Sequence, residues 1–232
     1  MNHANIKGLR VAVLAADGFE QVELTKPLKA LQKAGAVVEV VSLRPGAIRG
    51  VNGLLPGKKV AVDRVLKEAE PSLYDALLLP GGLVNPDALR QDHAALAFVR
   101  AFDEAKKPIA VICHGPWVLV SAGLVGGRQL TSWPGIRDDI VNAGGEWKDA
   151  PVVRDENWVS SRSPQDLPAF ERAMLDLFGT AQPLRPHPEL RTGGRKGLRW
   201  LLGGLLAASA GLAVNRLRRQ NPGQALAADR HL

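Results

Sequence analysis

Short, wholly apolar runs alternate with stretches of helical spacing through most of this 232-residue chain, and that rhythm constrains its fold more than any other feature. A strand that is apolar without alternation must be covered on both faces, which a parallel sheet flanked by helices provides. The spacing predicts strands over Leu9–Ala16, Val37–Leu43, Ala76–Pro80 and Ile109–Cys113, and a helix over Glu20–Ala34 closed by Gly35. Between the last two strands, His93–Lys106 carries Leu96, Val99 and Phe102 at helical intervals, as a right-handed crossover requires. Ser163-Pro-Gln-Asp reads as the start of a closing helix, with Ser163 as its cap. Leu167, Phe170, Met174, Leu177 and Phe178 form the apolar face of that helix, and Gly179 ends it. The expected architecture is α/β: a flavodoxin-like three-layer sandwich with a mostly parallel sheet, plus a C-terminal extension.

The net charge of +7 suggests nucleic acid or an acidic surface until it is divided along the chain. Residues 180–232 hold nine basic and two acidic residues, whereas residues 1–179 hold 21 of each. The main domain is therefore neutral, and a nucleic-acid groove across it loses its support. The division gives an α/β domain over 1–179, a Pro/Gly/Arg-rich linker over 180–196, and a basic, hydrophobic helix and tail over 197–232. Trp200–Val214 has no charge and lies between Arg195, Lys196 and Arg199 on one side and Arg216, Arg218 and Arg219 on the other. At fifteen residues it is short for a span, which needs about 17–25. The expectation is contact with an anionic membrane through residues 197–219, with a helix docked on protein, or disorder, as the alternatives. One cysteine and no N-terminal apolar h-region fit a cytoplasmic protein.

That cysteine, Cys113, ends the apolar run Ile109–Cys113 where Gly115 and Pro116 interrupt it, before a short helical stretch closed by Gly123. A thiol at such a turn faces the N–H groups of a helix start, which favour a thiolate. A lone cysteine ending a strand is equally well explained as packing. His114 follows directly, and at a sharp turn both side chains can line one pocket, although a histidine also caps helices. Glu20 lies just past the first strand, on the sheet edge where open α/β sheets bind ligands. It would help the thiol only if protonated and donating, and it reads equally as a first-turn acid. Pro80-Gly81-Gly82 ends the third strand at the same edge. Adjacent glycines there expose N–H groups suited to an oxyanion, or simply make a turn. No phosphate loop occurs, and none of the five histidines has metal-ligand spacing, so neither cofactor nor metal is expected.

Five ordered segments carry a resemblance to the PfpI family of intracellular cysteine peptidases and protein deglycases, within the glutamine amidotransferase-like superfamily. They are Asp17-Gly-Phe-Glu-Gln-Val-Glu-Leu; Leu79-Pro-Gly-Gly with Asn85-Pro-Asp-Ala-Leu-Arg90; Ala110-Val-Ile-Cys-His-Gly-Pro; Leu130-Thr-Ser-Trp-Pro-Gly-Ile-Arg; and Asn157-Trp-Val-Ser-Ser-Arg-Ser-Pro-Gln-Asp-Leu. The resemblance spans about residues 8–178. It implies Cys113 as nucleophile, Glu20 as the acid beside it, His114 as its partner, and the N–H groups of Gly82 and His114 as the oxyanion site. It also implies homo-oligomers in which an acid, here Asp87, reaches the histidine of a neighbouring subunit. Trp133 stands where the family often has an aromatic beside the cysteine, as pocket wall or as core. The implied function is a stress-response cysteine hydrolase acting on small reactive carbonyls or glycated proteins. Peptidase activity at the same site, and redox sensing or chaperoning through Cys113 oxidation, are the alternatives.

Overall fold

The computed structural model describes residues 6–181. In chain order the elements are β1 (Arg10–Leu14), β2 (Phe19–Glu20), α1 (Gln21–Lys33), β3 (Val37–Ser42), β4 (Ala47–Asn52), β5 (Leu55–Ala61), β6 (Arg64–Val65), β7 (Ala76–Leu79), α2 (Val84–Arg90), α3 (His93–Glu104), β8 (Ile109–Ile112), α4 (Pro116–Ser121), β9 (Gln129–Leu130), α5 (Arg137–Asn142), β10 (Glu146–Trp147), β11 (Val152–Asp155), β12 (Trp158–Ser161) and α6 (Leu167–Phe178). A seven-stranded sheet runs β11-β12-β8-β7-β1-β3-β6. All its neighbours pair in parallel except β11 with β12.

The central strands β7 and β8 are buried at every residue, and alternate side chains go to opposite faces. Ala12, Leu14, Leu77, Leu79, Ile109 and Val111 pack with Leu96, Val99, Phe102, Val118 and Leu119 of α3 and α4. Val11, Val13, Ala76, Leu78, Ala110 and Ile112 pack on the other face with Leu24 and Leu31 of α1 and with α6. The five residues predicted for the apolar face of α6 are all buried. This is the expected three-layer sandwich.

Three departures have physical causes. Strands β1, β7 and β8 end one or two residues before the apolar runs do, because their last residues leave the sheet to build a site. Ala16 N–H, for instance, donates to the buried Asn85 Oδ1 at 2.6 Å. Ser163 makes no capping hydrogen bond; a 3₁₀ turn over Pro164–Asp166 precedes α6, and Arg162 Nε holds Asp166 Oδ2 at 2.9 Å instead. The antiparallel β4–β5 pair, joined by β2 into a second sheet, was not anticipated, since β5 is largely exposed and carries no apolar run. The linker and tail proposed for residues 180–232 lie outside the described residues from 182 onward.

Candidate active site

The strand order reverses direction at β1, with β3 on one side and β7 on the other. Loops leaving the carboxyl ends of strands around such a switch point diverge and leave a crevice. Into it project the turn after β8 and the Gly81-Gly82 loop after β7, with the first turn of α1 alongside.

Cys113 sits at that turn with φ +63, a left-handed conformation that costs a side-chain-bearing residue on the order of 1–3 kcal/mol. It is fixed from both sides: Cys113 N–H donates to Ser161 O at 3.0 Å, and Trp133 N–H donates to Cys113 O at 2.9 Å. The sharp bend brings adjacent side chains together, so that Cys113 Sγ lies 3.3 Å from His114 Nδ1. The backbone N–H groups of Gly82 and His114 point at the same sulfur. Residue 81 must be glycine: a Cβ there would stand 2.5 Å from both Cys113 Cβ and Glu23 Oε2.

The acid beside the thiol is Glu23, three residues beyond the expected Glu20. Glu20 ends β2 at the surface, where its Oε2 accepts the Gly53 N–H at 2.9 Å. Glu23 is in the first turn of α1 and fully buried, on the face shared with Pro27 and Leu31. Its Oε2 accepts the Gly81 N–H at 3.0 Å, and its carboxyl is in hydrogen-bonding reach of the Cys113 thiol. Its Oε1 is buried without a hydrogen-bond partner among the described residues. An ionised oxygen so placed is costly, and burial accordingly pushes the Glu23 carboxyl up to about 8, the hydrogen bonds only partly offsetting it. The sequence signal was available: positions 23, 27 and 31 recur every fourth residue and so share one helix face.

Burial also pushes the Cys113 thiol up, and the neighbouring Glu23 charge adds to the rise; the Gly82 and His114 N–H groups oppose both. The pair therefore holds at most one negative charge near neutrality. A protonated Glu23 has Sγ as the acceptor within reach. His114 is half-buried and its pKa is lowered by that burial, so its imidazole is neutral and can take a proton. Its ring lies between Trp133 (centroids 5.9 Å apart, planes at 22°) and Trp117 (5.2 Å, 60°).

One further expected group is committed elsewhere. The Gly81 N–H is committed to Glu23 and cannot serve an oxyanion, whereas Gly82 keeps its N–H at the sulfur. Asp87, expected to reach the histidine of a neighbouring subunit, has its carboxylate held within the chain by Arg90 Nη2 at 2.8 Å and by Gln91 Nε2 at 3.0 Å. Trp133 is 43% exposed and is therefore not core. Asn85, quoted only as part of a motif, ties the crevice together. Besides accepting from Ala16 it donates through Nδ2 to Pro80 O at 2.9 Å and to Gly81 O at 3.0 Å.

Several known proteins are similar to this chain. A deglycase of Pyrococcus abyssi is 46% identical over 170 residues, covering 73% of this chain and 99% of its own. General stress protein 18 of Bacillus subtilis is 40% identical over 172 residues, 74% of this chain and 98% of its own. A solved two-domain protein of Anabaena variabilis, with DJ-1/ThiJ/PfpI-like and ferritin-like domains, matches with a TM-score of 0.69 at 35% identity. That match covers 74% of this chain and 48% of the two-domain protein. The DJ-1/PfpI family pattern covers residues 9–177, and the chain belongs to the DJ-1/PfpI family.

Proposed function

We propose that the protein is a cysteine-dependent deglycase-like hydrolase that acts on reactive carbonyls or their protein adducts. The observation that carries this reading is the Cys113 Sγ to His114 Nδ1 contact of 3.3 Å, beneath a buried, protonated Glu23. The thiol proton passes to neutral His114 Nδ1 while sulfur forms a bond to the carbonyl carbon. The C=O π pair moves to oxygen, which the Gly82 and His114 N–H groups hold. With a free 2-oxoaldehyde, His114 returns its proton to that oxygen to give a hemithioacetal, the carbon-bound hydrogen moves to the adjacent carbonyl, and water hydrolyses the resulting thioester to free the thiol and a 2-hydroxy acid. With an amine adduct, sulfur replaces the amine on the adduct carbon, the proton goes to the departing nitrogen, and water then frees the thiol. Trp133 walls the pocket in this reading.

Release of amine from a methylglyoxal-treated peptide, assayed beside cleavage of an unmodified peptide, tests the reading. Full-length protein is expected to turn over the adduct and Cys113→Ser to show none. Peptide cleavage without adduct turnover would make it a peptidase. Conversion of Cys113 to a sulfinic acid by mild peroxide, with no turnover of either substrate, would favour a redox sensor.

The remaining assignments belong to the same proposal. Leu83 and Val84, 56% and 58% exposed at the start of α2, offer a face for a second copy, which would bring Asp87 to a neighbour. Sedimentation of the Val84→Glu variant as a smaller species would support that. A lone thiol without a disulfide partner suits the cytoplasm. The basic, uncharged-centred segment 197–219 suits anionic lipid, and flotation with anionic vesicles that is lost on its deletion is the corresponding test.

A further inference from the structure

The His114 ring has one polar contact among the described residues, Nδ1 to Cys113 Sγ, and Nε2 has none. A histidine ring turns about χ2 in a broad well, so one contact at 3.3 Å does not fix its plane. The plane is set by the two indoles. Trp133 lies nearly parallel to the ring and Trp117 packs against it at 60°. Trp117 is itself held at two points: its Nε1–H donates to Asp139 Oδ2 at 2.8 Å, and the Arg90 guanidinium lies 4.6 Å over its ring. Arg90 is in turn anchored by Asp87 at 2.8 Å. Three helices, α2 with Asp87 and Arg90, α4 with Trp117 and α5 with Asp139, thus converge on one indole beside the imidazole.

We propose that Trp117 is a positioning residue: gripped by the Asp139 carboxylate and the Arg90 guanidinium, it fixes the plane of His114 so that Nδ1 stays on the Cys113 sulfur. The inference rests on Cys113 and His114 being the reacting pair, but not on which substrate they serve. Asp139 needs to be an acceptor, not an anion, since an amide oxygen accepts from an indole N–H equally well.

The test is alkylation of Cys113 in the full-length protein by iodoacetamide at one pH, read with the side-chain ¹⁵N shifts of His114. No substrate enters, so failure of the deglycase reading would appear in the turnover assay and leave this series readable. Trp117→Ala is expected to slow alkylation about tenfold and Trp117→Phe about threefold, with displaced His114 shifts, because proton transfer from the thiol needs Nδ1 within hydrogen-bond reach. Asp139→Ala is expected to slow it about two- to threefold and Asp139→Asn to restore it, since only the amide still accepts from the indole. A folded Trp117→Ala with wild-type rate and shifts overturns the proposal, as does an Asp139→Asn as slow as Asp139→Ala. Should Trp117→Ala not fold, the two Asp139 variants decide.

Discussion

A side chain at φ +63 and a carboxyl with no exposed atom beside it are both held against a cost, and each cost can be measured. Glycine is normally less stable than alanine in ordered backbone by roughly 0.5–1 kcal/mol, but at a left-handed position the order inverts. Cys113→Gly is expected to be more stable than Cys113→Ala by about 1 kcal/mol in urea titration; the ordinary order would mean that the turn is unstrained. For Glu23 the folded-state pKa of about 8 lies above the ordinary 4.5. The folded protein therefore binds an extra proton between these values. Its contribution to stability is complete below pH 4.5 and is lost as pH rises through 8, at about 1.4 kcal/mol per unit of displacement. Wild type should lose about 4 kcal/mol relative to Glu23→Gln between pH 5 and pH 8.5, and parallel urea midpoints in the two proteins would show that Glu23 ionises freely. Cys113 and His114 were legible because the break in an apolar run marks a turn. Glu23 was less so, because a buried acid has the same letter as a solvated one, and the only signal that separates it from Glu20 is the helix face it shares with Pro27 and Leu31.

The site depends on the approach of elements as much as on its side chains. Gly82, at φ +88, brings the loop after β7 against β2 so closely that a Cβ would meet the Gly18 carbonyl oxygen and the Glu20 N–H. Both partners are backbone and cannot swing aside. Gly82→Ala is therefore expected to cost about 2–4 kcal/mol, combining a left-handed φ with a main-chain clash, and to move the N–H that faces Cys113. A stability loss within 0.5 kcal/mol, the range of an ordinary surface substitution, would contradict that approach. The Pro-Gly-Gly turn was readable in the sequence, but which of its N–H groups faces the thiol was not, since Gly81 is committed by a helix 58 residues away. The β4–β5 hairpin was missed for another reason. With five of seven β5 residues exposed it has no buried face to impose alternation.

At the scale of the molecule, both faces of the sheet are filled by side chains from within residues 6–178. Removing residues 182–232 is expected to leave melting temperature and turnover unchanged; a truncated domain that melts earlier would show that the tail belongs to the core. The layer order was legible because each central strand is apolar on both faces. The crevice follows from strand order, which the chain alone does not spell out. What the whole arrangement claims is that one buried acid governs one thiol. The rate of Cys113 alkylation against pH in the full-length protein tests it most directly, with Glu23→Gln and Glu20→Gln beside wild type. Because the Glu23 charge raises the thiol, Glu23→Gln should move the curve about one pH unit or more towards acid, while Glu20→Gln should leave it within about 0.3. A curve unmoved by Glu23→Gln, or moved as far by Glu20→Gln, would contradict the account.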